Sequence, residues 1–502
     1  FLTGNLTNSG TSTAETTYTI TALSDASSCT AISSNYAGSA VVTVNPVPTV
    51  NDPTDISACA GSSFLATTYT GAVSGTVYTW TNNNTSTGLA TSGTGNIGVF
   101  AGTNATNAAI VSTVTVTPSY GSSPTCSGSP QTFTLTVNPK PVVLAQTATI
   151  CTGSSFSVTP IDGGGYIIPV GGSGTHYTWL APTAAGLSGM ISGSGVSSFS
   201  SGTLVNSTNA PITVVYTVTP VYDNSPVLCS GAAFTVTIIV NPTPDVTDPT
   251  DQVRCAGAST SLVTFASPLD VLGTVYSWTN NNTSTGLAGS GTGNIASFTT
   301  ANTTNAAIIS TVTVTPSYVN EGLTCTGTAQ TFTITVNPLP VVANQTISSL
   351  CSDVATGVNF NSSTAIAAAT YNVTNLSLGG ATVSAGGAAV ANGLTASDLA
   401  DDAFNNVSSA AISVVYTVVP VSAEGCLGAS FTVTISVKPE AVLTAISNSS
   451  VCSNGAVVSA QTFSTTNSLS PNYAWTNNTT SIGLAASGTT SVPSFTSANT
   501  TN

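Results

Sequence analysis

In VSTVTVTPSY (residues 111–120) and QTFTLTVNP (131–139), apolar residues alternate with threonine and serine at a period of two. That alternation predicts strands with Val, Phe and Leu on one face and hydroxyls on the other. Threonine, being β-branched, suits the outer face of a strand. Clusters of Gly, Asn, Ser and Pro interrupt the pattern roughly every eight to twelve residues, the spacing of turns between short strands. Only SDLADDAF (397–404) reads as helical, for a turn or two. The chain is therefore predicted to be all-β.

The pattern repeats. TVYTWTNNNTSTGLATSGTGNI begins at Thr76 and TVYSWTNNNTSTGLAGSGTGNI at Thr274, and a third copy, YAWTNNTTSIGLAASGTTS, begins at Tyr473. Trp80, Trp179 and Trp278 follow one another at steps of 99 residues, so the period is about 98 with alternate units more alike. A second anchor recurs as VTVNPVP at Val42, LTVNPKP at Leu135, IIVNPTP at Ile238, ITVNPLP at Ile334 and ISVKPEA at Ile435. Together these mark a partial unit 1–46, repeats 47–138 (type A), 139–241 (type B), 242–337 (type A) and 338–438 (type B), and a partial type A unit 439–502. About seven short strands and one Trp near the third strand fit an immunoglobulin-like sandwich. The fold expected is a tandem array of Ig-like β-sandwich domains of about 98 residues each. Repeat 338–438 departs from it, because TYNVTNLS puts Val373 where the Trp is expected, and its core must pack differently.

Composition narrows the function. Only 4% of the 502 residues are charged, against about 25% in an average globular protein. The formal charge of −14 sets 17 acidic residues against Lys140, Arg254 and Lys438. Nucleic acid and anionic membrane surfaces are thereby disfavoured as partners, because both need clustered cations. Hydrophobic residues still make up 41%, enough for a core in each domain. No run of 18 apolar residues occurs, so no membrane insertion is expected of this segment. FLTGNLTNSG lacks the basic start and apolar stretch of a signal peptide, and TSANTTN stops where TTANTTNAAIIS (299–310) continues into a strand. Both ends are read as cut from a longer polypeptide.

The C-x-G elements CAGSSF (59), CTGSSF (151) and CAGAST (255), the Tyr-x-Trp of the third strand, and a Cys before a last strand ending in VNP resemble the PKD-like and Ig-like repeats of giant surface proteins of Bacteroidetes, including SprB-type gliding adhesins. The resemblance runs at repeat level over essentially the whole chain. It implies a stalk on the bacterial cell surface, export by the type IX route, and no particular ligand.

Ten cysteines in a chain almost free of thiol-activating cations point to disulfides and an oxidising compartment. Each repeat has one Cys after its first strand (Cys59, Cys151, Cys255, Cys351) and one before its last (Cys126, Cys229, Cys325, Cys426); Cys29 and Cys452 belong to the partial units. Three pairing schemes stand. A hairpin scheme joins Cys126 to Cys151 and its equivalents, but the prolines of the joint disfavour a tight turn. An intradomain scheme joins Cys59 to Cys126, across roughly 35 Å if the first strand runs unbroken for eleven residues. The preferred scheme joins neighbouring repeats: Cys59 to Cys229, Cys151 to Cys325 and Cys255 to Cys426. It requires end-to-end stacking to bring each pair within about 7 Å.

Other candidates are fewer. Asp52 and Asp55 in NDPTD, and Asp248 and Asp251 in TDPTD, follow a repeat joint and are candidate calcium ligands; a solvated proline turn is the preferred reading. Asp398, Asp401 and Asp402 near Asn405 read as decoration of a helical turn. His176 is the only histidine, so at most one catalytic triad could form, and none is expected. The TNNNTSTGLA segments offer amides and hydroxyls to a sugar, and equally make turns. The expected function is a non-enzymatic, cofactor-free stalk or filament segment of a large adhesin, outside the cell, in contact with surface polysaccharide, other surface components or further copies of itself. The alternatives are an accessory region of a secreted glycan-active enzyme, or a self-assembling sheath subunit.

Overall fold

A computed structural model of the chain describes residues 5–360, 366–452 and 455–499. Residues 1–4 and 500–502, in the terminal stretches FLTGNLTNSG and TSANTTN, lie outside the described residues. The chain divides into two compact units. One comprises Phe1–Asp245, Leu269–Thr274 and Ser317–Gly327, the other Val246–Pro268, Val275–Pro316 and Thr328–Asn502.

In the first unit, strands Ala14–Thr19 and Ser39–Val44 form an antiparallel hairpin. The next sheet runs in the order Ile56–Cys59, Gln131–Asn138, Ile110–Tyr120, Val77–Asn82, Ser92–Thr94. Its first and last strands in chain order pair parallel, Asn138 opposite Cys59; the other pairs are antiparallel. Strands Ser63–Phe64 and Phe100–Ala101 supply the facing layer. The period-two pattern does what alternation dictates: Val114, Val116, Phe133, Leu135 and Val137 all point inward into one core with Trp80 and Phe64. A second sheet repeats the order with Gln146–Cys151, Phe234–Asn241, Ile212–Asn224, Gly174–Trp179 and Gly193–Val196. Opposite it lie Ser154–Val158, Phe199–Asn206 and Leu187–Ser188, and Phe199 sits between Trp179 and Tyr216 with ring centroids 4.9 and 5.0 Å away. The end of strand Ile308–Asn320 from Ser317 onward also counts to this unit, where it pairs with Leu323–Thr326.

The second unit holds a sheet in the same order, Gln252–Cys255, Gln330–Asn337, Ile308–Asn320, Val275–Asn280, Ser290–Thr292. Beyond it, Gln345–Leu350, Phe431–Val437, Ile412–Val421 and Thr370–Ser377 form a four-stranded sheet, with Thr382–Ala385 paired to Ala403–Asn405. Here Val373 stands in the Trp position and is fully buried; the volume is filled by Phe360, Tyr371, Phe404 and Tyr416. Its strand is bulged between Val373 and Asn375. The one α-helix among the described residues, Ala396–Ala400, starts on a capping box of Thr395 and Asp398, in which two otherwise orphaned backbone amides are satisfied.

The tryptophans explain a motif that periodicity leaves unread. Each indole lies on a glycine of the neighbouring strand: a Cβ at Gly93 would come 2.2 Å from the Trp80 ring, at Gly193 2.3 Å from Trp179, at Gly291 2.2 Å from Trp278 and at Gly488 2.5 Å from Trp475. The Ser-Gly pair after each Trp strand, extended to S-G-x-G in all but the last unit, is thus a flat bed for the ring.

Candidate functional site

The residues that recur without serving a repeat's own core gather at the joints between repeats. At every joint but the one after repeat 338–438, where Lys438 precedes the proline, the last strand leads into Asn-Pro. Asn138 is fully buried; its Nδ2 donates to Ser57 Oγ at 2.9 Å within its own repeat. Its Oδ1 accepts from Asn224 Nδ2 of the following repeat at 2.8 Å. The next joint repeats the contact, Asn320 Nδ2 donating to Asn241 Oδ1 at 2.8 Å. The second proline of the linker is clamped as well. A Cβ at Gly128 would come 1.8 Å from the Pro48 carbonyl oxygen, at Gly231 2.0 Å from that of Pro141, and at Gly428 2.0 Å from that of Pro340. The C-x-G elements at Cys126, Cys229 and Cys426 therefore need glycine, because the linker backbone occupies the space of a side chain.

The disulfides cross the same joints. Cys59 is bonded to Cys229, Cys151 to Cys325 and Cys255 to Cys426, with Cα atoms 5.5, 5.6 and 5.6 Å apart, inside the usual range for this bond. Register explains the positions. Cys59, Cys151 and Cys255 each close a first strand, opposite the Asn of the Asn-Pro. Cys229 and Cys325 face Tyr222 and Tyr318 on short strands folded back beside the long one. The two cysteines of one repeat thus sit at opposite ends of its sheet, and in repeats 139–241 and 242–337 each is bonded to a neighbouring repeat. Among the described residues Cys29, Cys126, Cys351 and Cys452 carry free thiols, and Cys126 occupies the same place opposite Tyr120.

The carboxylates at the joints have a structural task. Asp55 Oδ1 accepts from the Thr134 amide at 2.6 Å, and Asp251 Oδ1 from the Thr333 amide at 2.6 Å; Asn344 does the same for Thr432 at 2.8 Å. Each lies one residue before the parallel pairing of first and last strand starts, and satisfies an amide that the ladder has not yet reached. The Thr134 amide holds the Asp55 carboxyl below its ordinary value. Asp52 and Asp55 line one shallow groove, Asp248 and Asp251 another. Among the described residues no three or more His, Cys, Asp or Glu side chains are grouped so as to hold a metal ion.

Asp402 differs from the surface decoration expected of it. It is buried, and its Oδ2 accepts from Tyr416 OH; burial pushes its carboxyl up and the Tyr416 phenol up as well. Asp398 does cap the helix. His176 lies half-buried in strand Gly174–Trp179, opposite Val221.

The amides of TNNNTSTGLA turn inward. Asn82 Nδ2 donates to the Asn84 and Leu89 carbonyls, Asn83 Oδ1 accepts from the Thr113 amide, and Asn84 Oδ1 accepts from Ser86. Gly88 closes the turn at φ 93°. Asn280 and Asn282 repeat the arrangement. A second recurring Asn is missed by the sequence reasoning. Asn104, Asn206, Asn302 and Asn406 each donate to two carbonyls and accept from an amide and a hydroxyl two residues on. All four read as N-x-S/T sequons because the Ser or Thr completes that bond set. Their recurrence at the repeat period is the signal that could have found them.

The profile of the PKD-like domain family matches residues 148–244 and 381–441. No curated protein matches the chain in sequence. Among solved structures, the chain is similar to Drosophila N-cadherin EC1-4, at 11% identity over 72% of this chain and 92% of that one, with a TM-score of 0.23. It is similar to extracellular domains 3–5 of Drosophila OTK, at 12% identity over 58% and 97%, with 0.23. For the human Desmocollin-1 ectodomain the figures are 11% identity over 81% and 84%, with 0.20. No helix among the described residues is long and apolar enough to cross a membrane. The paired sheets, the family match and the three disulfides describe a tandem array of Ig-like/PKD-like β-sandwich repeats in an extracellular or secreted protein.

Proposed function

We propose that this chain is a stalk or filament segment of a large bacterial cell-surface adhesin, serving surface attachment or gliding motility, without catalytic activity or cofactor. The observation that carries the reading is where the recurring polar residues are used. Asn138 and Asn241 hydrogen-bond across joints, six cysteines bond across joints, and the loop asparagines are consumed by their own turns. Residues kept for joining repeats suit a spacer, whose task is to hold a distant tip in place. The boundaries 47–138, 139–241, 242–337 and 338–438 are the beads of that spacer, and surface polysaccharide or other surface components are its surroundings.

Gold-labelled antibody against the repeats, applied to intact cells under the electron microscope, tests this. Label on filaments projecting from the surface is the expected result. Label confined to the culture medium, copurifying with glycan-degrading activity, would overturn it in favour of an enzyme's accessory region.

A further inference from the structure

The disulfides shorten the covalent route through the chain. Cys59–Cys229 and Cys255–Cys426 bridge 170 and 171 residues, and between them the route needs only residues 229–255. That stretch is the strand Phe234–Asn241, the linker PTPDVTDPTD, and the strand Gln252–Cys255. A pull on the two ends passes along the main chain to Cys59, across to Cys229, along 229–255, and across from Cys255 to Cys426. Residues 60–228 and 256–425, with Trp80, Trp179 and Trp278 and most of each core, lie off that route as closed loops. Cys151–Cys325, bridging 174 residues, ties one loop to the other.

We infer that the chain carries tension on the disulfide-joined strand–linker–strand segment 229–255 and on the stretches before Cys59 and after Cys426, while residues 60–228 and 256–425 stay off load. The placement of the cysteines supports this independently of what surface the protein serves. Each segment 29–59, 126–151, 229–255, 325–351 and 426–452 has a cysteine at either end and no other inside, so a bonded pair of ends puts that segment alone on the route. Prolines within every one of these segments fix φ and limit slack. The oxidised chain then has a short, fixed reach; the reduced chain has the reach of its full length. The inference goes beyond the stalk reading and does not depend on it.

The test is to pull the full 502-residue chain by its ends in an optical trap, oxidised and then in dithiothreitol. The reductant gives two electrons and two protons to each disulfide, leaving two thiols, and becomes a cyclic disulfide itself. At about 3.4 Å per residue the oxidised route extends to about 55 nm and the whole chain to about 170 nm, so reduction is expected to lengthen the final contour about threefold. Cys229→Ser leaves the Cys151–Cys325 route and is expected to double the oxidised contour; Cys126→Ser is expected to leave it unchanged. An oxidised chain that releases whole sandwiches in steps of about 30 nm, or a Cys126→Ser contour as long as that of Cys229→Ser, would overturn the inference. Because the final contour depends on cross-links alone, a variant that folds poorly still reports which cysteines are joined.

Discussion

A methyl group added at Gly93 would lie 2.2 Å from the Trp80 ring, with φ in the ordinary region, so the obstacle is volume and not backbone. Gly93→Ala is expected to lower stability by about 1–3 kcal/mol, as overpacking of a close-packed core does, read from urea denaturation. The indole nitrogens separate the repeat types. Trp179 Nε1 donates to the Ile191 carbonyl at 2.9 Å, whereas Trp80 and Trp278 Nε1 meet no hydrogen-bonding partner among the described residues. Trp179→Phe therefore strands a carbonyl that Trp80→Phe does not, and should cost about 1 kcal/mol more. Equal costs would show that the indole bond contributes nothing. Asp55 and Asp402 act oppositely on pH. Held low by the Thr134 amide, Asp55 contributes stability above the ordinary carboxylate range and loses it as pH falls through its lowered value. Asp402, pushed up by burial, favours the folded state with its proton on, and that contribution is lost as pH rises through its raised value. Asp402→Asn keeps an oxygen for Tyr416 OH, so variant and parent should have similar urea midpoints near about pH 3. Toward neutral pH the variant should become the more stable of the two. A parent that keeps pace with the variant at neutral pH contradicts the assignment.

Strands and corners owe their positions to different parts of the code. The strands of VSTVTVTPSY and QTFTLTVNP are legible because alternation alone decides which face is buried, and Val114, Val116, Phe133 and Leu135 are buried as that alternation requires. The corners are not, because their information lies in side-chain to backbone bonds that leave no periodic trace within a repeat. Asn206 ties the corner to the end of the last strand through the Ala210 and Val240 carbonyls, both at 2.8 Å, and accepts from Thr208 N and Oγ1 at 2.9 and 2.7 Å. Asn206→Ala leaves four such groups to find water at a site where only 5% of the residue is exposed. A loss of about 2–4 kcal/mol is expected from unmet buried bonds, against about 1 kcal/mol for Thr208→Ala. The same bonds place the Asn206 amide out of reach of a glycosylating enzyme in the folded chain, although Asn-Ser-Thr reads as a sequon. The task of Asp55 and Asp251 is hidden for a related reason: only the parallel pairing of first and last strand reveals which amide is left waiting.

For the molecule as a whole, the cysteines raise the question that spacing along the sequence cannot answer. The interval between Cys126 and Cys151 looks like a hairpin because one last strand, one linker and one first strand always separate them. The parallel register resolves the ambiguity: it puts Cys151 beside Asn241 at one end of its sheet, while Cys229 of the same repeat sits beside Tyr222 at the other. Each cysteine is then nearer to a neighbouring repeat than to its own partner in sequence. Closing loops of 170 to 174 residues is worth about 5 kcal/mol per bond in the chain-entropy model, enough to exceed the loss from any single substitution above. The native chain exposed to iodoacetamide under non-reducing conditions should take label at Cys29, Cys351 and Cys452, more slowly at the half-buried Cys126, and at none of the six bonded cysteines. Proteolysis without reduction should then release peptides joining Cys59 to Cys229, Cys151 to Cys325 and Cys255 to Cys426. A peptide joining Cys59 to Cys126, or Cys126 to Cys151, would mean that each repeat is closed on itself. The joints would then be held by the clamped prolines and by hydrogen bonds such as those of Asn138, Asn241, Asn107 and Thr149, bonds weak enough for each repeat to unfold independently of the next.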